Sequence, residues 1–235
     1  MISILSFTFE ETAFLQRYWN CCKPDCSSPD NSDGNPARIC DAGMNTLNDP
    51  NEKDICEGGP ATMCLDQIPI VVNDSLAYAF VDAHGNVCGK CYELIFTGEG
   101  MLRPELSYMK IAGKRLIVMA ISYGAQEGHF RLLIPGGGVK VLNGCSKVLG
   151  TKIGKRSGGL LKECRKEISF DGELDEETKY IKTQSCLINK CKKFFSENIQ
   201  ALEGCLFLAN WLETADNPEV LYEEVDCPKE LLSKY

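Results

Sequence analysis

The sequence is poor in histidine, tryptophan, long apolar runs and basic residues, which indicate several common functions where they are abundant. Its 235 residues include only 2 histidines and 2 tryptophans, and no apolar run is long enough to span a bilayer. Basic residues are in the minority: 25 lysines and arginines stand against 33 aspartates and glutamates, for a net charge of -8. Nucleic acid and anionic membranes both require a basic face, so we expect neither as a main partner.

Cysteine is the residue in unusual supply, with 14 copies in the chain. Such an even number is typical either of a disulfide framework formed in an oxidising compartment or of zinc sites. Only Cys88-Gly89-Lys90-Cys91 has the CxxC spacing of a zinc ribbon, and no second CxxC accompanies it. We therefore expect disulfides, with no metal and no cofactor.

A disulfide framework predicts a secreted, extracellular or cell-wall protein. The apolar start, residues 1–9, is short, lacks a basic segment and runs directly into Glu10 and Glu11. It is therefore a poor secretion signal. We expect that a signal segment is missing from this sequence.

The order of residue types along the chain predicts a single, mainly β domain. Residues 21–64 hold six cysteines among Asp, Asn, Ser, Pro and Gly, which indicates loops held by disulfides. Short β-branched and aromatic runs then favour a closed or partly closed β-barrel over βαβ units. Strands are predicted at residues 76–81, 92–96, 115–122, 130–134, 206–211 and 220–225, and helices at 191–202 and 228–235.

Several motifs resemble those of one family. RYWNCCKPDC at residues 17–26 is similar to RYWDCCKPSC, the opening motif of the family 45 glycoside hydrolases, which are small endoglucanases. CYELIFT at residues 91–97 resembles the family's CYELTFT, and HFRLLIPGGGV at residues 129–139 resembles its HFDLNIPGGGV. NGC at 143–145, ADNP at 215–218 and the closing Cys227-Pro228 also fit, so the resemblance runs from residue 17 to about residue 232.

The resemblance implies a six-stranded double-psi β-barrel with long disulfide-stapled loops, a few short helices and an open groove for a glucan chain. Expansins share this barrel. Residues 1–16 would be an N-terminal extension and residues 17–235 the domain, with an expanded segment at about 168–200.

The resemblance also implies a disulfide pattern. The pairs expected from the family are Cys21–Cys145, Cys22–Cys56, Cys26–Cys88, Cys40–Cys64, Cys91–Cys227 and Cys164–Cys205. A seventh family bridge would need a cysteine at Gly89 and a partner after Cys227, and both are missing. Cys186 and Cys191 remain, and a local bridge between them is the simplest completion.

The two residues that would carry catalysis in this family differ here. Inverting hydrolysis needs a carboxylic acid and a carboxylate roughly 6.5–9.5 Å apart, with water between them. In the family pattern the base is the Asp of RYWD and the acid is the Asp of HFD, and Asn20 and Arg131 take these positions. An amide cannot accept the proton of water at ordinary pH, and a guanidinium is a very poor proton donor.

Other residues are candidates for what remains of the site. Glu127, just before His129, is a possible substitute acid, although a solvated loop position is the simpler interpretation. The resemblance implies a substrate-binding set of Tyr18, Trp19, Lys23, Asp25, His129, Gly136 and Gly137. Within it, Trp19 could equally be a core residue, His129 a hydrogen-bonded barrel residue and the glycines a tight turn.

The leading prediction is therefore a monomeric protein of the family 45 fold that is inactive or strongly impaired. It would bind a β-glucan or a related cell-wall polysaccharide, in the manner of expansins. One alternative is an active inverting endo-β-1,4-glucanase that uses a relocated acid such as Glu127. Another is a structural wall or surface protein without specific sugar contacts.

Overall fold

A computed structural model describes residues 11–102, 105–139, 141–150, 157–169 and 174–235. Its strands are β1 Glu11–Tyr18, β2 Ile39–Cys40, β3 Thr46–Leu47, β4 Thr62–Met63, β5 Ile70–Val71, β6 Leu76–Ala83, β7 Cys91–Gly100, β8 Arg115–Tyr123, β9 His129–Leu133 and β10 Pro218–Val225. Its α-helices are α1 Leu106–Ile111, α2 Cys145–Leu149, α3 Gly159–Ile168, α4 Glu176–Phe195, α5 Ile199–Asn210 and α6 Lys229–Leu232.

The long strands pair in a closed ring. β6 runs parallel to β8, β8 antiparallel to β7, β7 antiparallel to β10, and β10 antiparallel to β1. β1 runs parallel to β9, and β9 returns antiparallel to β6. β5 is added at the edge of β6, and β2, β3 and β4 form a separate small sheet. The mainly β fold predicted from the sequence is confirmed.

One hydrophobic core joins these strands. Phe80, Leu94, Leu116, Leu132 and Val220 come from five different strands, and each is 0% exposed. They belong to the β-branched and aromatic runs that predicted strands, because a pleated, half-buried surface favours such side chains. Five of the six predicted strands lie within or overlap β6, β7, β8, β9 and β10.

The first strand begins before the predicted domain boundary. β1 pairs with β10 from Glu11 opposite Tyr222 onward, and Ala13 and Leu15 are buried in the core. The boundary at residue 17 therefore falls inside a strand of the ring. The part of the predicted extension at residues 1–10 lies outside the described residues.

The sixth predicted strand, at residues 206–211, was wrong, because this run lies in α5. Phe207, Leu208 and Ala209 are all buried. A helix that is buried on most sides shows the same unbroken apolar run as a buried strand, so periodicity does not separate the two.

The expanded segment is largely helical. The predicted helix at residues 191–202 spans the end of α4 and the start of α5, which Asn198 caps by accepting a hydrogen bond from Ala201 N. α4 is 20 residues long and so exceeds the short helices expected. The predicted closing helix is present as α6, after Pro228. In the described parts of the chain, no helix has the length and apolar character needed to cross a membrane.

Five of the seven predicted disulfides are confirmed. They are Cys21–Cys145, Cys22–Cys56, Cys26–Cys88, Cys40–Cys64 and Cys91–Cys227. Three of them start from the motif at residues 17–26. That motif is therefore tied to α2, to the loop before β4 and to the turn before β7.

The last two pairings, Cys164–Cys205 and Cys186–Cys191, were wrong. The structure joins Cys164 to Cys186 and Cys191 to Cys205. Cys186 and Cys191 stand five residues apart in the continuous helix α4, which sets their Cα atoms about 8.7 Å apart. A disulfide spans at most about 7 Å, so each cysteine instead bonds to a neighbouring helix.

Candidate functional site

The two motifs singled out in the sequence lie side by side. β1 and β9 run parallel, with Gln16 opposite Arg131 and Tyr18 opposite Leu133. Beyond the strands, Trp19 N donates to Gly138 O at 2.8 Å. The carboxyl ends of both strands therefore meet at one edge of the ring, where Tyr18 and Arg131 approach each other.

Asn20 is held by two hydrogen bonds. Its Nδ2 donates to the hydroxyl oxygen of Tyr18 at 2.7 Å, and its Oδ1 accepts from Cys22 N at 3.0 Å. The amide thus orients the Tyr18 hydroxyl. A carboxylate at residue 20 would need that hydroxyl to donate instead.

Arg131 forms a buried ion pair that the sequence did not predict. Asp82 on β6 lies directly opposite Arg131 on β9, and Arg131 Nη1 stands 3.0 Å from Asp82 Oδ2. The side chains are only 12% and 6% exposed, respectively. Asp82 also accepts a hydrogen bond from Ala125 N at 2.9 Å. The cation at position 131 therefore has a dedicated counterion on the next strand.

The electrostatic balance around Asp82 is unusual. Burial raises the pKa of Asp82, and the neighbouring Arg131 only partly offsets this effect. Burial likewise raises the pKa of Asp25, against hydrogen bonds that include one from Tyr123 N at 3.3 Å. The two carboxyl groups interact with each other electrostatically. Both pKa values are shifted upward, as is often found at functional sites.

Tyr18 lies within the same group of charges. The Arg131 guanidinium carbon stands 5.7 Å from the centroid of the Tyr18 ring, a cation–π distance. Burial raises the pKa of Tyr18, and Arg131 opposes this shift. We call Tyr18, Asn20, Asp25, Asp82 and Arg131 the polar cluster.

A cavity of about 360 Å³ adjoins the polar cluster. We call it the Arg131 cavity. Its lining includes Tyr18, Arg131, Arg17, Lys162 and Asp216. Arg17 Nη1 donates to Asp216 Oδ1 at 2.5 Å, which links β1 to the turn before β10. The cavity combines an aromatic ring with several fixed charges, a combination common in ligand sites.

Glu127 and His129 line a different cavity. This second cavity, of about 330 Å³, also includes Glu11, His84 and Tyr222. Glu127 is exposed, and its backbone oxygen lies 3.0 Å from His129 Nδ1. The structure thus does not bring Glu127 into the lining of the cavity that Arg131 and Tyr18 share.

Several of the predicted substrate-binding residues serve the scaffold. Trp19 is 2% exposed and packs edge-on against Phe195, so it is a core residue. Lys23 Nζ donates to the backbone oxygens of Pro50 at 2.5 Å and Glu52 at 2.9 Å. The Lys23 ammonium therefore holds the loop before β4.

The glycines at positions 136 and 137 are also structural. Gly136 has φ +79°, and a Cβ on Gly137 would stand 2.8 Å from Ile134 O and 2.9 Å from Tyr18 N. Both residues are buried. They let the turn after β9 pack closely against the end of β1.

Cys22, Asp54 and Cys56 are the one set of three potential metal-ligating residues found close together in the described parts of the chain. Cys22 and Cys56 form a disulfide, so neither offers a thiolate. This group therefore does not make a metal site as it stands.

Asp82 is the functional-site candidate that the sequence analysis missed. It lies in the run LAYAFVDA, which reads as a buried strand and carries no motif. A useful signal was available nonetheless. A single carboxylate in one buried strand and a single arginine in another each require a partner, and they can satisfy each other.

This chain is similar to known proteins of one family. The sequence model of glycosyl hydrolase family 45 matches residues 12–235. Endoglucanase B of Cellvibrio japonicus is 37% identical over 232 residues, covering 94% of this chain and 44% of that protein. A putative endoglucanase type K of Fusarium oxysporum is 33% identical, over 92% of this chain and 50% of its own length. The chain thus spans about half the length of these two relatives.

An animal relative matches along most of its length. The endoglucanase of the springtail Cryptopygus antarcticus is 31% identical, over 93% of this chain and 85% of that protein. The crystal structure of a cellulase from this springtail superimposes with a TM-score of 0.69 at 29% identity. The match covers 95% of this chain and 94% of that structure.

Proposed function

Because this chain belongs to glycosyl hydrolase family 45, we propose that it binds a β-1,4-glucan or a related cell-wall polysaccharide and hydrolyses it poorly or not at all. The observation that carries the proposal is the 3.0 Å ion pair between Arg131 and Asp82. By the resemblance to HFD, Arg131 occupies the position of the catalytic acid. A cation with its own counterion has replaced a proton donor there.

The chemistry of the two replaced positions supports impaired hydrolysis. A guanidinium stays protonated far above neutral pH and does not protonate a leaving oxygen. Its positive charge also opposes the positive charge that develops on the sugar in the transition state. Loss of general acid catalysis alone lowers a rate about 10²–10⁴-fold. Asn20, whose amide donates to Tyr18, cannot act as the base.

The polar cluster keeps groups that suit sugar binding. The Tyr18 ring can stack on a pyranose face, and Arg131 has a fixed fork of N–H donors for hydroxyl groups. Asp25 adds acceptor oxygens near Ser122 and Tyr123. This supports a glucan-binding site on the surface that the family uses for catalysis.

A second candidate function is an active endoglucanase with relocated carboxyl groups. The observation that favours it is the pair Asp82 and Asp25, because burial raises both pKa values toward those of a proton donor. The relatives are themselves named endoglucanases. Glu127 remains a further candidate acid on sequence grounds.

The barrel type, secretion and the oligomeric state are part of the same proposal. The closed ring of six strands supports the double-psi barrel expected from the resemblance. The seven disulfides support secretion into an oxidising environment. We further propose that the protein acts as a monomer.

Turnover of a soluble β-1,4-glucan and retention on insoluble cellulose test the proposal. The springtail endoglucanase is the positive control. We expect retention, with turnover at least about 100-fold below that of the control. Tyr18→Ala should weaken retention about 2- to 10-fold, whereas Tyr18→Phe, which keeps the ring, should not.

The same assays separate the alternatives. Turnover comparable to the control, abolished by Asp82→Asn or by Glu127→Gln, would establish the enzyme and identify its acid. If the protein shows neither retention nor turnover, both functions are contradicted and a structural wall protein is left.

A further inference from the structure

We propose that the Arg131 cavity accepts a sugar that carries a carboxylate, so that the ligand is a β-linked glycan containing uronic acid. The inference rests on the proposed function, because it names the class of polysaccharide that this site would bind. It is drawn from the charges that line the cavity.

The charge of this cavity differs in sign from that of the protein. The chain carries a net charge of -8. The cavity lining nonetheless includes three cations, Arg17, Arg131 and Lys162, and one carboxylate, Asp216. An anionic ligand is attracted to such a local concentration of positive charge, even on an acidic protein.

The negative charge of Asp216 is already balanced by neighbouring cations. Arg17 Nη1 contacts its Oδ1 at 2.5 Å, and Arg165 Nη1 lies 3.8 Å from its Oδ2. Burial favours the neutral form of Asp216, but the surrounding cations, including Lys162, outweigh burial and lower its pKa. Asp216 therefore remains charged and paired, and it does not balance all the cations of the cavity.

Lys162 supplies the uncompensated charge. It is exposed, and among the described residues no carboxylate lies within the 4.0 Å of an ion pair with its ammonium group. Its aliphatic stem lies against Gly158, where a Cβ would meet Lys162 Cδ at 2.7 Å. The stem is thus supported while the ammonium group is available to a ligand.

Arg131 places a second cation beside the ligand. Its contact with Asp82 is made through Nη1 at 3.0 Å, and Asp82 lies deeper, at 4% exposure. Other N–H groups of the guanidinium fork remain to meet ligand oxygens. Gln16 and Asn217 in the lining can bind hydroxyl groups, and Tyr18 offers its ring. The cavity thus matches the hydroxyls, the ring face and the carboxylate of one uronic acid unit.

A matched pair of oligosaccharides tests the inference. Cellohexaose and a β-1,4-linked glucuronic acid hexaose share their backbone and differ only at C6, which carries a hydroxymethyl group or a carboxylate. Binding to the full chain is measured by isothermal titration calorimetry in 20 mM and 200 mM NaCl. We expect the acidic hexaose to bind about 5-fold tighter in low salt, with the preference shrinking in high salt as charges are screened.

Substitutions locate the preference in the Arg131 cavity. Lys162→Gln should reduce the preference about 2- to 5-fold. Lys166→Gln, an exposed lysine on the same helix α3, is the matched control and should leave it unchanged. Arg131→Gln combined with Asp82→Asn removes both members of the buried pair, so no lone charge is left behind, and should reduce the preference further.

The outcomes distinguish this inference from the proposed function. Equal affinity for both hexaoses, or a preference for the neutral one, would overturn the inference and leave glucan binding standing. An acid preference that persists in Lys162→Gln and in the double variant would place the anion site elsewhere and overturn the assignment. If the protein binds neither hexaose, both the inference and the proposed function are contradicted.

Discussion

Two buried arginine–aspartate pairs have their arginines on the neighbouring strands β1 and β9, and their environments differ. Arg17 and Asp216 contact at 2.5 Å, and Arg131 and Asp82 at 3.0 Å. Burial opposes the charge of both aspartates. At Asp216 the effect of the cations is larger and the pKa falls, whereas at Asp82 the effect of burial is larger and the pKa rises.

The difference lies in the number of cations around each carboxylate. Asp216 interacts with Arg17, Arg165 and Lys162, whereas Asp82 has Arg131 and the carboxylate of Asp25 nearby. The Arg17 pair joins β1 to the turn before β10 and resembles a scaffold element. The Arg131 pair balances the charge at the position that the proposed function assigns to the family's acid. An ion pair whose charged form is disfavoured by burial is weak evidence for a stabilising role and better evidence for a functional site.

Under the proposed function, the largest effect is expected when the two carboxyl groups of the family motifs are introduced at and beside the second pair. Asn20→Asp combined with Arg131→Asp should raise turnover of soluble β-1,4-glucan about 10²–10⁴-fold, because a base and an acid are supplied together. Initial rates of reducing-end release measure this effect. Asn20→Asp alone is the matched control and should gain little.

The restored acid would face Asp82 across the strands. Two carboxyl groups this close raise the pKa of one of them, so the acidic form should persist to higher pH. Adding Asp82→Asn should therefore move the basic limb of the pH–rate profile to lower pH. A folded double variant without turnover would show that the substrate groove itself has changed.

The next prediction concerns the first pair. Asp216→Asn should lower the free energy of unfolding by about 3–5 kcal/mol, because Arg17 would be left buried without a full counterion. Urea denaturation at pH 7 measures this loss. Glu224→Gln, in the exposed pair with Lys90, is the control and should change stability by less than about 1 kcal/mol. Comparable losses in the two variants would contradict a scaffold role for Asp216.

The second pair should respond less when both of its members are replaced. Asp82→Asn alone leaves the Arg131 charge unpaired and should cost about 1–3 kcal/mol. Arg131→Met with Asp82→Leu should cost less than this single change, since a buried ion pair is often replaceable by apolar groups of similar volume. Denaturation of the two variants side by side decides the point. A larger loss in the double variant would make the Arg131 pair a scaffold element like the first.

The sequence predicted the strands of this fold better than its helical insert. The apolar runs around Phe80 and Leu116 are short and flanked by turn-forming residues, and packing in the ring agrees with that local preference. The run at residues 206–211 is equally apolar but forms part of α5. The pairing of Cys186 and Cys191 depended on the turns of α4, which spacing along the sequence does not reveal.

For the site, the sequence predicted the motifs but not their connections. It brought Asn20, Tyr18 and Arg131 to attention, and these residues do lie together. It left Trp19 open as a groove or a core residue, and the structure buries it in the core. The sequence marks Asp82 as a carboxylate in a buried strand that needs a partner, but only the register of β6 against β9 puts it opposite Arg131.

The smallest predicted effect is that Asp216 and Asp82 change the stability of the protein in opposite directions as pH falls. The pKa of Asp216 in the folded protein lies below the ordinary 3.8, so the stability that it contributes is present above pH 3.8 and is lost as pH falls through the folded value. The pKa of Asp82 lies above 3.8, so the folded state binds its proton first, and wild type gains stability as pH falls toward 3.8. Denaturation from pH 7 to pH 3 should therefore show the advantage of wild type over Asp216→Asn shrinking at the acid end. The difference between wild type and Asp82→Asn should move in favour of wild type over the same range. Parallel trends in the two comparisons would mean that the two carboxylates occupy equivalent environments, and would count against the Arg131 pair as part of a functional site.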